Sequence, residues 1–139
     1  VGGREKAPAA LCRKVSIADN GGEIKIWGDG SQTRSFLYID ECIRGIRKLM
    51  DSECYEPLNI GSEEIVSINQ LANITMQLAN KNLKIKHIKG PVGVKGRNSD
   101  NTLIMKKLGW APNYSLKKGI QKTFLWINEQ VNQSKEVKK

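Results

Sequence analysis

Residues 27–41 read WGDGSQTRSFLYIDE, and this stretch carries more chemistry than packing needs. Gly28 and Gly30 allow the backbone to come close to a ligand. Gln32 and Arg34 follow with an amide and a rigid fork of donors, which suit phosphate or sugar oxygens. A glycine-rich hairpin turn with an exposed arginine explains the same residues, so the stretch alone leaves a binding loop and a plain turn equally open.

The pattern around this stretch predicts helices alternating with short strands. An apolar helical pattern covers residues 5–18, and Glu23 to Trp27 alternates polar with apolar residues as a strand does. Three more strands are predicted, at 34–39, 57–60 and 83–88. Four more helices should begin at polar capping residues, namely Asp40, Ser67, Asp100 and Ser115. We therefore expect one α/β domain over residues 1–139, with a flexible basic tail at 130–139.

Length and composition exclude several classes of protein. The 139 residues suit one domain, and 39% apolar residues with 13 glycines are typical of soluble globular proteins. No apolar run approaches the roughly 20 residues that cross a bilayer, so we expect no membrane partner. Three cysteines without CxxC spacing and a single histidine argue against a metal site and favour a reducing, cytoplasmic location. Because the chain opens at Val1 without an initiator Met or a signal peptide, we expect a piece of a longer protein.

The charge balance points to an anionic partner. Lysine and arginine number 23 against 14 acidic residues, which gives a net charge of +9. The basic residues are spread along the chain, and 6% aromatic residues are too few for a base-stacking platform. We therefore expect no nucleic-acid partner.

A second candidate binding stretch is GRNSDN at residues 96–101. Arg97 there precedes a predicted helix, where arginine charge, free N–H groups and the helix dipole would together attract an anion. The preceding glycine-rich loop has about ten residues, which is long enough to be functional. Capping of the predicted helix is enough to explain an aspartate at position 100, but it does not explain an arginine at position 97.

A third candidate is Lys6, within GREKAPAALCRK at residues 3–14. A lysine beside other cations, such as Arg4 and Lys14, gives up its proton more readily than in water and can act as an acid. A solvated basic helix start is the simpler explanation of Lys6 when this stretch is taken alone.

Together these strings resemble the extended short-chain dehydrogenase/reductase family, whose members modify nucleotide sugars. The resemblance rests on WGDGSQTRSFLYIDE, on LNIGS at 58–62 and on KKLGWAPNYSLKKGI at 106–120. GGREKAPAALCRK at 2–14 and GPVGVKGRNSDN at 90–101 are similar to one branch of that family, the GDP-mannose 3,5-epimerases. The resemblance implies the C-terminal substrate-binding portion of such an enzyme, with helices, short strands and no Rossmann domain in this chain.

The resemblance also implies roles for individual residues. Lys6 is the catalytic acid that returns a proton to the sugar. The implied substrate-binding residues are Glu5, Lys6 and Ala7 along the hexose, Lys14 on the nucleotide sugar, Gln32, Thr33 and Arg34 on the nucleotide, and Arg97 on the diphosphate.

For the whole enzyme the resemblance implies NAD-assisted 3,5-epimerisation of GDP-mannose to GDP-L-galactose by a homodimer. NAD would be held mainly by the missing N-terminal domain, because the Gly-rich fingerprint, the Tyr-x-x-x-Lys pair and the base cysteine all precede the matched residues. We therefore expect no turnover from this chain alone. We also expect Ala9, Leu11 and Val15, with Trp27, to be exposed where that domain would cover them.

Two alternatives stay open. The chain fits, less well, the substrate portion of another epimerase or dehydratase of the same family. It also fits a non-catalytic basic module that binds acidic partners.

Overall fold

Five helices and two small sheets make up the computed structural model, which describes residues 5–136. The helices are α1 Ala7–Ile17, α2 Ile39–Met50, α3 Ile68–Leu78, α4 Thr102–Leu108 and α5 Leu116–Glu136. The strands are β1 Glu23–Trp27, β2 Thr33–Ser35, β3 Ile65–Ser67, β4 Lys84–Ile88 and β5 Gly96–Arg97. The predicted α/β fold class is confirmed.

The two sheets hold the strands that matter for the site. In the first sheet β1 runs parallel to β4, with Glu23 opposite Lys84 and Trp27 opposite Ile88. In the second sheet β2 lies in the middle, antiparallel to β3 and parallel to β5. Because β2 directly follows the glycine-rich turn after β1, that turn connects the two sheets.

The core lies between α1, α3, α5 and the first sheet. Its most deeply buried side chains include Val15, Leu71 and Cys12, and burial raises the pKa of the Cys12 thiol to about 11. The first and last helices also share a hydrogen bond of 2.7 Å from Ser16 Oγ to Asn128 Oδ1. The expectation that Leu11 and Val15 are exposed is therefore wrong, because α5 and α3 cover that face of α1.

Helix α2 presents its apolar side to solvent instead. Ile43, Ile46 and Met50 share one face at helical spacing, as the sequence indicates, and they are 48%, 43% and 76% exposed. The opposite face is buried through Gly45, where an added Cβ would lie 2.7 Å from Ile60 and 3.0 Å from Trp110. The apolar patch predicted for α1 thus lies on α2, and patches of this kind promote association.

Two predicted strands differ from the structure. The strand predicted at 34–39 is shortened to Thr33–Ser35, because its partners β3 and β5 are only three and two residues long. Residues 57–60 form no strand, since no strand within residues 5–136 pairs with them. Strand length therefore depends on neighbours that the local sequence does not reveal.

The capping predictions are partly confirmed. Ser67 caps α3 in a capping box with Gln70. Asp40 instead lies inside α2, whose N-cap is Tyr38.

The predicted tail begins inside α5, because residues 130–136 continue that helix, whereas 137–139 lie outside the described residues. The flexibility of the tail stays a prediction.

Lys81 joins the end of α1 to the segment before β4. Its ammonium group donates to the carbonyls of Val15, Ser16 and Ala18 at 2.9, 2.8 and 2.7 Å. These are carbonyls that a helix C-terminus leaves without helical partners, and positive charge is favourable there.

Replacing Lys81 with Met keeps most of the aliphatic stem and removes these hydrogen bonds. We expect the free energy of unfolding in urea to fall by about 2 kcal/mol, since hydrogen bonds to a charged group contribute about 1.5 to 3 kcal/mol. The matched control is Lys84→Met, which changes an exposed lysine on β4 and should change stability by less than about 0.5 kcal/mol. Equal effects of the two changes would contradict the capping role.

Candidate functional site

The turn after β1 is fixed by contacts within the chain. Gly28 and Gly30 have φ angles of +70° and +72°, which disfavour any other residue. A Cβ at Gly28 would collide with Val92, and one at Gly30 with the side-chain amide of Asn69. The glycines therefore permit close approach of chain segments, whereas the sequence suggested close approach of a ligand.

Asp29 tightens the same turn. Its Oδ1 accepts hydrogen bonds from the Ser31 backbone N–H at 2.9 Å and from the Ser31 hydroxyl at 2.7 Å. These hydrogen bonds lower the pKa of the Asp29 carboxyl. The carboxylate is thereby committed to shaping the turn that leads into β2.

Arg34 and Arg97 face each other across the pairing of β2 with β5. Residues paired laterally in a sheet project to the same face, so the two side chains leave the sheet on one side. Arg34 donates to the carbonyls of Thr33 at 2.6 Å and Val94 at 2.5 Å, which occupies two of its five N–H groups. The side chain of Arg97 is exposed and makes no hydrogen bond or ion pair within residues 5–136. Two neighbouring cations without an acidic partner favour binding of an anion.

Gln32 supplies a polar atom without a partner. Its Oε1 is buried and accepts no hydrogen bond within the described residues, whereas its Nε2 lies 3.4 Å from the Trp27 carbonyl. An unsatisfied buried acceptor costs about 1 to 3 kcal/mol, and native structures contain few of them. A ligand that donates an N–H or O–H group here would remove that cost.

The loop at 89–95 lies beside these residues. Gly90 packs so closely on half-exposed Trp27 that an added Cβ would lie 2.6 Å from its ring. The loop also supplies the Val94 carbonyl to Arg34 and the Lys95 carbonyl to the Thr33 N–H, at 2.9 Å. It therefore adjoins Thr33 and Arg34, at the place where the sequence predicts ligand contacts.

The start of α1 forms a second group of predicted site residues. Lys6 is the N-cap residue, exposed, with its carbonyl accepting the Ala10 N–H at 3.0 Å. Glu5 binds Arg13 through two hydrogen bonds of 2.5 and 3.0 Å, which raise the pKa of Arg13. Ala7 is the first helical residue. Arg4 lies outside the described residues, so its predicted influence on Lys6 stays a prediction.

Lys14 turns from α1 towards the first sheet. Its Nζ donates to the Lys25 carbonyl of β1 at 2.6 Å. Partial burial, and after it the neighbouring Arg13, lower the pKa of Lys14. Lys14 thus ties α1 to the strand that leads into the glycine-rich turn, and its contact with a nucleotide sugar stays a prediction.

The start of α4 is less available to an anion than the sequence suggested. Glu63 accepts the Asn101 N–H and Asp100 accepts the Thr102 N–H, each at 2.9 Å. Arg97 lies in β5, before this helix begins. The anion-binding potential of Arg97 therefore rests on its pairing with Arg34, and carboxylates already occupy two N–H groups at the helix end.

A cleft of about 660 Å³ lies between α4 and the start of α5, and none of the predicted site residues lines it. Glu63 and Glu64 line it, and Glu64 accepts the Leu116 N–H at 2.6 Å. Since both carboxylates cap backbone N–H groups, capping explains these acidic residues without a ligand.

The glycine-rich turn at 28–30 does not have the arrangement of a dinucleotide-binding turn. A dinucleotide cofactor binds where a glycine-rich turn joins a strand to a helix, whereas the turn at 28–30 leads from β1 into β2. Residues 5–136 also contain no cluster of three or more metal-ligating side chains. None of the helices in this range has the length and apolar character needed to cross a bilayer.

Comparison with known proteins decides the family. A family model described as GDP-mannose 4,6 dehydratase matches residues 3–123. This chain belongs to the GDP-mannose 4,6 dehydratase family. The resemblance to extended short-chain dehydrogenase/reductases found in the sequence is thereby confirmed.

Curated relatives of this family member are much longer than the chain. GDP-mannose 3,5-epimerase of Arabidopsis thaliana is 54% identical over 134 residues, which cover 96% of this chain and 35% of the relative. A dTDP-4-dehydro-6-deoxy-D-allose reductase of Streptomyces bikiniensis is 36% identical over 81% of this chain and 35% of its own length. The chain therefore spans about a third of the length of the relatives it matches.

Solved structures confirm the fold. The UDP-glucose 4-epimerase of Thermotoga maritima, solved with UDP-glucose, superposes with a TM-score of 0.83 at 25% identity over 93% of this chain and 41% of that chain. A UDP-glucuronic acid 4-epimerase of Bacillus cereus, solved with UDP-glucuronic acid and NAD, gives 0.79 at 26% identity over 91% and 40%. The GDP-mannose 4,6 dehydratase family member thus has the predicted fold of a portion of such enzymes.

Sequence reasoning missed two residues that support the turn, Asn69 and His87. Asn69 bonds to Asp29 and Gly30, and His87 lies 3.0 Å from Asn69. The position of Asn69 two residues after the capping Ser67 signals only a helix start. Nothing in the local sequence relates either residue to the turn at 28–31.

Proposed function

We propose that this chain is the nucleotide-sugar-binding portion of an epimerase that acts on GDP-mannose. The observation that carries the proposal is the pairing of Arg34 with Arg97 across β2 and β5, with no acidic side chain bound to either guanidinium in the described residues. Two arginine forks on one face suit the two phosphates of a nucleoside diphosphate. The 54% identity to the Arabidopsis GDP-mannose 3,5-epimerase supports this choice of substrate.

The nucleotide would lie along β2. The buried Oε1 of Gln32 is an acceptor for an N–H or O–H group of the nucleotide. Thr33 has its hydroxyl at the same edge, 3.1 Å from the position that a Cβ on Gly96 would take. A Cβ at position 96 would therefore make a tight contact with this hydroxyl, and glycine leaves it more room beside β5.

The hexose would lie at the start of α1. Lys6 is exposed there and has an ammonium group able to donate a proton to a sugar carbon. Glu5 and Ala7 flank it, and the Glu5–Arg13 pair fixes the backbone on which Lys6 stands. We assign Lys6 as the acid and Glu5, Ala7 and Lys14 as sugar contacts.

The reaction proposed for the whole protein is NAD-assisted 3,5-epimerisation of GDP-mannose to GDP-L-galactose, carried out in the cytoplasm by a homodimer. Because the glycine-rich turn leads into a strand and not into a helix, we assign NAD binding mainly to a part of the protein outside this chain. This chain then contributes substrate binding and one proton transfer, and it should have no turnover alone.

A chimera tests the proposal. This chain replaces the matching third of the Arabidopsis GDP-mannose 3,5-epimerase, and the products formed from GDP-mannose are identified by chromatography and NMR. We expect inversion at C3 and C5. A chimera that folds and binds GDP-mannose but inverts neither carbon refutes the reaction. Conversion of UDP-glucose in its place would favour the alternative of another epimerase of the family.

A basic binding module is the competing hypothesis, since the net charge is +9. We expect duplex DNA and single-stranded RNA to bind this chain more weakly than about 1 μM at physiological salt, which is the ordinary range of non-specific binding. Fluorescence anisotropy with labelled 20-mers measures this. A tighter dissociation constant at that salt would favour the module over the epimerase portion.

A further inference from the structure

Asn69, in the first turn of α3, contacts the glycine-rich turn twice. Its backbone N–H donates to the Gly30 carbonyl at 3.1 Å, and its Nδ2 donates to the Asp29 carbonyl at 2.9 Å. A Cβ on Gly30 would collide with the Asn69 amide. The turn and the helix therefore fit closely only when position 30 is glycine.

His87 holds the other side of the same amide. His87 lies in β4 opposite Ile26 of β1, and its Nε2 is 3.0 Å from Asn69 Oδ1. Because Asn69 Nδ2 donates to Asp29, Oδ1 is the acceptor, and the hydrogen-bond network assigns the proton to His87 Nε2. Asn69 thus links three elements, namely α3, β4 and the turn.

The N-terminal end of α3 also binds Gln32, which lies two residues after Gly30. The Ile68 N–H donates to the Gln32 carbonyl at 3.2 Å. Residues 29, 30 and 32 are thus bound by two consecutive residues of α3. Arg34 follows two positions later in β2, so the placement of the turn sets the placement of both predicted nucleotide contacts.

We propose that Asn69, oriented by His87, is a positioning residue that holds Gln32 and Arg34 in the arrangement that binds the nucleoside diphosphate. The inference rests on the proposed function, since it concerns the same nucleotide site. Neither Asn69 nor His87 needs to touch the ligand. Their contribution is to reduce the number of conformations of the turn before binding, which lowers the entropic cost of binding.

The first test compares Asn69→Leu with Asn73→Leu in this chain, because Asn73 is an exposed asparagine one turn further along α3. GDP binding is measured by calorimetry, and amide hydrogen exchange is measured by NMR at Thr33, Ile68 and the core of α5. We expect Asn69→Leu to raise the dissociation constant for GDP on the order of tenfold, since it removes two side-chain hydrogen bonds. Exchange at Thr33 and Ile68 should accelerate by a similar factor while α5 stays unchanged. Asn73→Leu should alter neither quantity.

A second pair of variants separates positioning from general stability. His87→Gln keeps a side-chain N–H donor and should retain GDP affinity within about threefold, whereas His87→Leu should weaken binding as Asn69→Leu does. An unchanged dissociation constant for GDP in Asn69→Leu would overturn the positioning role of Asn69. Faster exchange throughout α5 in that variant, with unchanged GDP affinity of the folded protein, would overturn it as well. If the unsubstituted chain binds no GDP, the proposed function of the chain fails, and exchange at Thr33 and Ile68 then decides the positioning role alone.

Discussion

The change Lys6→Met, made in the chimera with the Arabidopsis epimerase, should lower kcat by roughly two to four orders of magnitude, the usual contribution of one general acid. Methionine is similar in length to lysine but has no proton to donate. The exposed position of Lys6 at the N-cap of α1 leaves its ammonium group accessible to a sugar. An arginine such as Arg4 cannot replace it, because guanidinium keeps its proton in proteins.

Substrate affinity should change much less than kcat in this variant, since Arg34 and Arg97, the proposed ligands of the diphosphate, remain. The matched control is Lys117→Met, which changes an exposed lysine near the start of α5 and should leave kcat unchanged. Product analysis and incorporation of solvent deuterium at C3 and C5 provide the measurement. Normal inversion with deuterium incorporation at the unsubstituted rate would show that another group donates the proton.

Removing either arginine of the β2–β5 pair should weaken GDP binding tenfold or more, because one charge-assisted hydrogen bond contributes about 1.5 to 3 kcal/mol. Arg97→Ala is the cleaner change, since the side chain of Arg97 makes no hydrogen bond or ion pair within residues 5–136 whose loss would disturb the fold. Arg34→Ala also releases the Val94 carbonyl, so it should weaken binding further by loosening the loop.

The double variant tests whether the two arginines bind one ligand. Neighbouring residues that share a partner are coupled, so the loss in Arg34→Ala/Arg97→Ala should differ from the sum of the single losses. Calorimetry of this chain with GDP at one fixed salt concentration measures all three, with Arg47→Ala on the exposed side of α2 as the control. An unchanged dissociation constant in Arg97→Ala would remove Arg97 from the site.

The local sequence predicts correctly those elements whose structure depends on interactions between neighbouring residues. The alternation at residues 23–27 predicted β1 with its exact limits, and Ser67 was identified as the cap of α3. The periodicity of α2 showed which residues share a face, but it contained no information on which way that face points. That direction depends on Gly45 packing against Ile60 and Trp110, which are distant in sequence.

The sequence names candidate site residues, whose roles stay predictions, but it does not show how they are arranged. The sequence predicts Arg97 as an anion ligand, and the structure shows that its neighbour across the sheet is Arg34, which is 63 positions earlier. Parallel pairing of two very short strands produces this contact, and neither strand is long enough to show a pattern. The contacts of Asn69 and His87 are likewise invisible to local patterns, since 18 residues separate the two and 40 residues separate Asn69 from Asp29.

The packing of α1 against α5 has a consequence for synthesis on the ribosome. The Ser16–Asn128 hydrogen bond joins residues 112 positions apart. The ribosome adds about 5 to 20 residues per second, so roughly 6 to 22 s pass between the synthesis of Ser16 and that of Asn128. During that interval Leu11 and Val15, buried in the finished fold, have no α5 to cover them. Until then only α3 is available to cover that face of α1, so the helix that follows Lys6 reaches its final packing only after the C-terminal helix has been made.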